Sequence, residues 1–258
     1  MRLISFPTEI ASTFNTLLDG CEGNRVRRIP KIQGSSGVKR DGIPLHEIPI
    51  RNMEWQEFFS EIREEKIHPF QERLKVLDAA KELFREYRSL CDMPTKEDRQ
   101  HIGGFRRSAD INWLWFGSMK GAGGFMNLIN NDPAIFSGAL DKIPSEDTVR
   151  RDHYKAFIDH YRTPCQTTKG KPFRHGLGTA TRLLAMKRPD YFVCLNNANR
   201  TGLAGAFGVA IKSHDYDDYW DKIVEPVCLS RWWGPVARCV EIRGWRNLRV
   251  SSTTRLGV

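Results

Sequence analysis

Lys169–Arg200, KGKPFRHGLGTATRLLAMKRPDYFVCLNNANR, strings together a cationic approach, two closely spaced glycines, a helix and an asparagine-rich loop. His175-Gly176-Leu177-Gly178 places glycine where a backbone turns sharply or lies close to a partner, and Thr179–Met186 then reads as a helix that Pro189 stops. A Gly-x-Gly turn feeding a helix offers unpaired N–H groups and the positive end of the helix dipole, which suits a phosphate. An ordinary corner between two helices carries the same pattern.

Composition sets the partners to consider. The 258 residues are 40% hydrophobic and 28% charged, enough for a packed core. Forty Lys+Arg against 31 Asp+Glu give a formal charge of +9 and point to a polyanion, nucleic acid before an acidic membrane surface. No apolar run reaches the roughly 20 residues that span a bilayer, and the start lacks the apolar core of a signal peptide, so a cytosolic or nucleoid location is expected. The six cysteines are scattered without a Cys-x-x-Cys pair, which argues for reduced structural thiols and against a zinc ribbon or an iron–sulfur cluster.

Outward from the central stretch the chain reads as all-α. Thr8–Leu18 suggests a short helix, and Gly20–Gly42 a basic arm, so residues 1–50 form one region and 51–258 a helical domain. Asn52 can cap a helix bearing Trp55, Phe58, Phe59 and Ile62; Phe70 through Tyr87 repeats apolar residues at helical spacing. Pro133–Leu140, a helix capped by Ser145 and running to Tyr161, Thr201–Phe207 and Tyr216–Cys228 follow. Asp110–Asn130, DINWLWFGSMKGAGGFMNLIN, is the second unusual stretch, because its glycines cost up to about 1 kcal/mol each in a helix. That loop is expected to fit against a ligand or simply to join two core helices. The tail from Arg243 is basic.

Familiar catalytic signatures are missing: no Gly-x4-Gly-Lys-Ser/Thr, His-Glu-x-x-His, Gly-x-Ser-x-Gly or strand-borne dinucleotide fingerprint occurs. Glu64-Glu65-Lys66 with Asp41 is the nearest approach to a metal-dependent nuclease, and a solvated helix face explains it as well.

Phe173-Arg174-His175-Gly176-Leu177-Gly178-Thr179-Ala180-Thr181-Arg182-Leu183-Leu184-Ala185, followed by Pro189-Asp190-Tyr191-Phe192-Val193, resembles the helix–hairpin–helix of base-excision DNA glycosylases. The resemblance spans roughly residues 105–228. It implies a two-lobed helical fold, DNA across a cleft, and a base rotated into a pocket drawn from Trp113, Trp115, Phe116 and Ser118. It further implies DNA contacts by Lys120, Arg174, His175, Gly176, Gly178, Thr179, Thr181, Arg182 and Arg200. Asn196 stands where the family keeps a catalytic aspartate, and it is uncharged. Asn196, Asn197 and Asn199 read equally as caps of the next helix. Lys169, with Lys171 close by, lies near the Schiff-base lysine of bifunctional members; both read also as phosphate contacts. The expected activity is excision of a modified or damaged base by a monomer without cofactor or metal. Asn196 points beyond routine lesions, for instance to a hypermodified phage base in a defence role. The alternative is a DNA-binding module that has lost the chemistry.

Overall fold

A computed structural model describes residues 70–197, 199–212 and 215–233, with the shorter pieces 39–40, 43–44, 50–54 and 57–58. The expected helix over 8–18, most of the basic arm, the helix through Phe59 and Ile62, Glu64-Glu65-Lys66 and the residues from 234 onward lie outside these. The described residues are all-α in class; β1 (Lys39–Arg40) and β2 (Ile43–Pro44) form one short antiparallel pair.

The helices are α1 (Phe70–Glu86), α2 (Lys96–Gly103), α3 (Gly123–Asn131), α4 (Ala134–Leu140), α5 (Arg151–Tyr161), α6 (Leu177–Lys187) and α7 (Arg200–Ala206). Then α8 (Tyr216–Tyr219) passes through a π-helical turn (Trp220–Val224) into α9 (Glu225–Leu229). α6 is the central strut. Nearly every residue from Leu177 to Lys187 is buried, and it packs against α1, α2 and α4. A helix covered on all sides needs no polar face.

The polar residues on this strut face inward to carbonyls. Arg182, with no exposed surface, donates from Nε to Ile102 O at 2.9 Å, and from Nη2 to His101 O at 3.1 Å and Trp113 O at 2.9 Å. Lys187 Nζ donates to Leu140 O at 2.8 Å, and Arg188 Nη1 to Pro144 O and Asp147 O. Arg99 similarly serves Ile129 O and Met93 O. Helix C-termini leave carbonyls unpaired and carry a partial negative charge, so buried cations satisfy both demands. At the end of α2, Gly104 at φ 73° completes a Schellman cap, with Phe105 N donating to Gln100 O and Gly104 N to His101 O.

An aromatic chain fills the interior beside α6. Phe105 meets Phe125, Phe125 meets Phe136 edge-on at 5.0 Å, and Phe136 meets Phe173 at 5.6 Å. One sequence expectation shifts here: the helix ending at Tyr161 begins at Arg151 rather than at a Ser145 cap.

Candidate functional site

A cleft of about 800 Å³ opens between the start of α3 and the loop that precedes α6. Gly121 through Asn127 form one wall; Thr167, Lys169, Lys171, Pro172, Phe173 and Arg174 form the other, with Gly176 and Thr179 at the start of α6. The two unusual stretches of the sequence therefore face each other. Lys169, Lys171 and Arg174 are exposed and form no ion pair among the described residues, and no carboxylate lines the cleft.

The cationic wall is a small hairpin. Phe173 N donates to Cys165 O, Thr167 N to Lys171 O, and Gly170 N to Thr167 O, with Gly170 at φ 68° closing the turn. Gln166 and Pro172 form an isolated bridge. Its base is anchored by the Phe173 ring in the aromatic core. Its tip is clasped to α3: Asn127 Nδ2 donates to Thr168 Oγ1 at 2.8 Å, while Thr168 N donates to Asn127 Oδ1 at 2.9 Å. The glycine wall includes the N-terminus of α3. Ala122, a poor capping residue, occupies the N-cap of α3, and no side chain caps that end. A Cβ built on Gly121 or Gly123 would meet nothing within 4 Å, so packing does not demand glycine at either position. Close approach of a ligand to bare backbone would.

Several expected site residues are elsewhere. Gly176 is an extended N-cap (φ −122°, ψ 141°) and Gly178 lies inside α6, so they do not form a tight turn. Gly178 packs closely on the following segment, where a Cβ would stand 3.2 Å from Leu195 O. Thr181 is fully buried, and its Oγ1 accepts from Leu195 N at 2.9 Å. With Arg182 turned onto carbonyls, neither side chain can reach DNA. Thr179 borders the cleft but its Oγ1 is taken by Tyr161 Oη and Gly176 O.

The expected base pocket is not open either. Trp113 and Phe116 are buried, Trp113 stacked on His101 at 4.9 Å, and Trp115 is half-buried beneath the Arg73 guanidinium at 5.6 Å. Ser118 is half-buried, accepting from Lys120 N at 3.4 Å; Lys120 is exposed beside the glycine wall, outside the cleft lining. Arg200, half-buried, opens α7 and is not in the cleft. His175 is held against Phe173 (4.6 Å) and Tyr161 (5.3 Å), and burial lowers its pKa, with nearby Arg162 adding to the shift.

Asn196 works as a bracket at the entry to α7. Its Oδ1 accepts from Asn199 N at 2.9 Å, while Asn199 Oδ1 accepts from Asn196 N at 2.8 Å; Asn199 Nδ2 also donates to Cys194 O. Asn199 stands at the N-cap of α7, but its side chain caps no helix amide; the two asparagines hold each other and Cys194 O instead. The same segment is fastened by Cys194 Sγ donating to Phe116 O, and burial raises that thiol to about 11. Asn196 faces Gly117, where a Cβ would lie 3.0 Å from its Nδ2, and it does not line the cleft.

Sequence reading missed Met126 and Asn127. Their signal was present in GGFMNLINN, where Asn127 and Asn131 fall one turn apart; Asn131 Nδ2 donates to Asn127 O at 2.9 Å.

No cluster of His, Cys, Asp or Glu suited to a metal occurs among the described residues, and none of their helices is long and apolar enough to cross a membrane. What the geometry defines is an all-α chain with a carboxylate-free basic cleft. No family model matches it, and neither a curated protein nor a solved structure shows significant similarity.

Proposed function

We propose that this chain is a DNA-binding protein whose basic cleft grips the phosphate backbone. One observation carries the reading: two stretches distant in sequence meet across a cleft whose lining holds three cations, with no ion-pair partner and no lining carboxylate among the described residues. Phosphate contacts release counterions, so affinity must fall with salt. Anisotropy of the full chain with a labelled oligonucleotide tests this. The logarithm of the affinity should decline linearly with that of salt, and Lys169→Ala, Lys171→Ala or Arg174→Ala should each reduce the slope by about 1 without altering Tm. Salt-insensitive binding, or none at low salt, refutes it.

A second reading keeps the two-lobed helix–hairpin–helix glycosylase. It is favoured by Lys169 and Lys171, both of which line a cleft of a size that takes a nucleotide. Asn196 is occupied in holding α7, so the chemistry passes to a lysine. A neutral lysine amine would attack the sugar C1′, the base would leave with the glycosidic electron pair, and opening of the sugar ring would give an imine. Duplexes carrying uracil, oxidised, alkylated or hypermodified bases, scored for abasic sites and borohydride-trapped adducts, decide it. No product on any of them, with binding intact, leaves the non-catalytic module.

A further inference from the structure

Met126 is one of only two large hydrophobic residues, with Leu229, that stand exposed among the described residues, and it lies in the cationic cleft. Exposed Pro172 and the mostly buried Phe173 line the same cleft from the opposite wall. The cleft lining therefore combines cationic side chains with the apolar Met126, Pro172 and Phe173. A base-paired duplex meets only half of this. Its phosphates can reach the cations, but its bases stay stacked inside the helix and leave Met126 and Pro172 facing water. An unpaired strand presents phosphates and the flat faces of its bases together, and those faces pack on apolar and polarizable side chains whatever their sequence.

We propose that the cleft binds an unpaired stretch of DNA in preference to duplex, with phosphates on Lys169, Lys171 and Arg174 and a base against Met126 and Pro172. This rests on the reading of the cleft as a phosphate site. It adds what lies between the phosphates, and it assigns Met126 a role in selecting the strand.

The test uses the full chain and one labelled mixed-sequence oligonucleotide, alone or annealed to its complement, followed by anisotropy at low salt. The single strand should bind on the order of tenfold more tightly. Met126→Ala should lower single-strand affinity about threefold and leave duplex affinity unchanged, because it removes a contact that only an exposed base makes. Lys171→Ala should weaken both. Met126 is 38% exposed, so its truncation should lower the melting temperature only slightly, and that is measured alongside. Duplex binding as tight as or tighter than single-strand binding overturns the inference while leaving the phosphate reading standing, as does a Met126→Ala loss equal on both forms. Failure of both forms to bind overturns both readings.

Discussion

Replacing Arg182 by Met separates two roles that the same residue could fill. If Arg182 reached DNA phosphates, Arg182→Met would weaken binding and spare stability. Its guanidinium instead donates to Ile102 O, His101 O and Trp113 O from a position without exposed surface. Each buried carbonyl deprived of its donor costs about 1–3 kcal/mol. His101 O keeps the Gly104 amide, and removing a charge from the interior returns some of its desolvation penalty. The net loss is therefore about 3 kcal/mol. At roughly 2–4 °C per kcal/mol for a chain of this size, Tm should drop by about 6–12 °C. Thermal unfolding followed by circular dichroism measures this, with Arg182→Lys as a second variant that keeps charge but cannot span the three carbonyls. A Tm for Arg182→Met within about 2 °C of the parent would refute the bracing role.

Asn196→Ala should destabilise the chain by about 1 kcal/mol through loss of the bracket at α7, with DNA affinity unchanged; a normal melting curve with lost affinity would put Asn196 back at the binding site. Gly117→Ala should cost about 1–3 kcal/mol, because φ is 93° and Asn196 stands 3.0 Å from the new Cβ, whereas Gly121→Ala should leave stability essentially unchanged and weaken binding only. Equal melting temperatures for these two variants would contradict the contrast. Burial lowers the pKa of both His101 and His175 from the ordinary 6.5. Below about pH 6.5 the unfolded chain takes up these protons first, so their contribution is fully present above that pH and is lost as pH falls toward the depressed native values. Tm should decline from about pH 7 to pH 5, and less steeply in His101→Gln/His175→Gln; parallel profiles would sink the assignment.

The helical class was legible from apolar spacing, and so were the approximate limits of α4, α6 and α7. What periodicity could not convey is the direction in which a cation points. Arg182 is a DNA contact in the reading that the resemblance implies, yet it, Lys187 and Arg188 all bond to carbonyls inside the molecule. The formal charge of +9 thus overstates the charge available to a partner, since a helix end and a phosphate make the same demand on a guanidinium. Glycine carried a similar ambiguity: Gly176 and Gly178 suggested a turn, but Gly178 packs closely on Leu195 O. Trp113 and Phe116 looked like a pocket because aromatic residues serve both pockets and cores. Lys169, Lys171 and the Gly121–Gly124 run stand out in the sequence, but only the folded chain reveals that they share a cleft.

The Asn127–Thr168 clasp gives the cleft a particular thermodynamic character. Hydrogen bonds between one side chain and both the amide and the hydroxyl of one residue hold the lysine-bearing hairpin at a set distance from α3 before anything binds. The conformational entropy of that loop is surrendered once, during folding, and is not charged again against each encounter. Severing the clasp should therefore leave every cation in the molecule while loosening its grip, a loss that a tally of charges could not foresee.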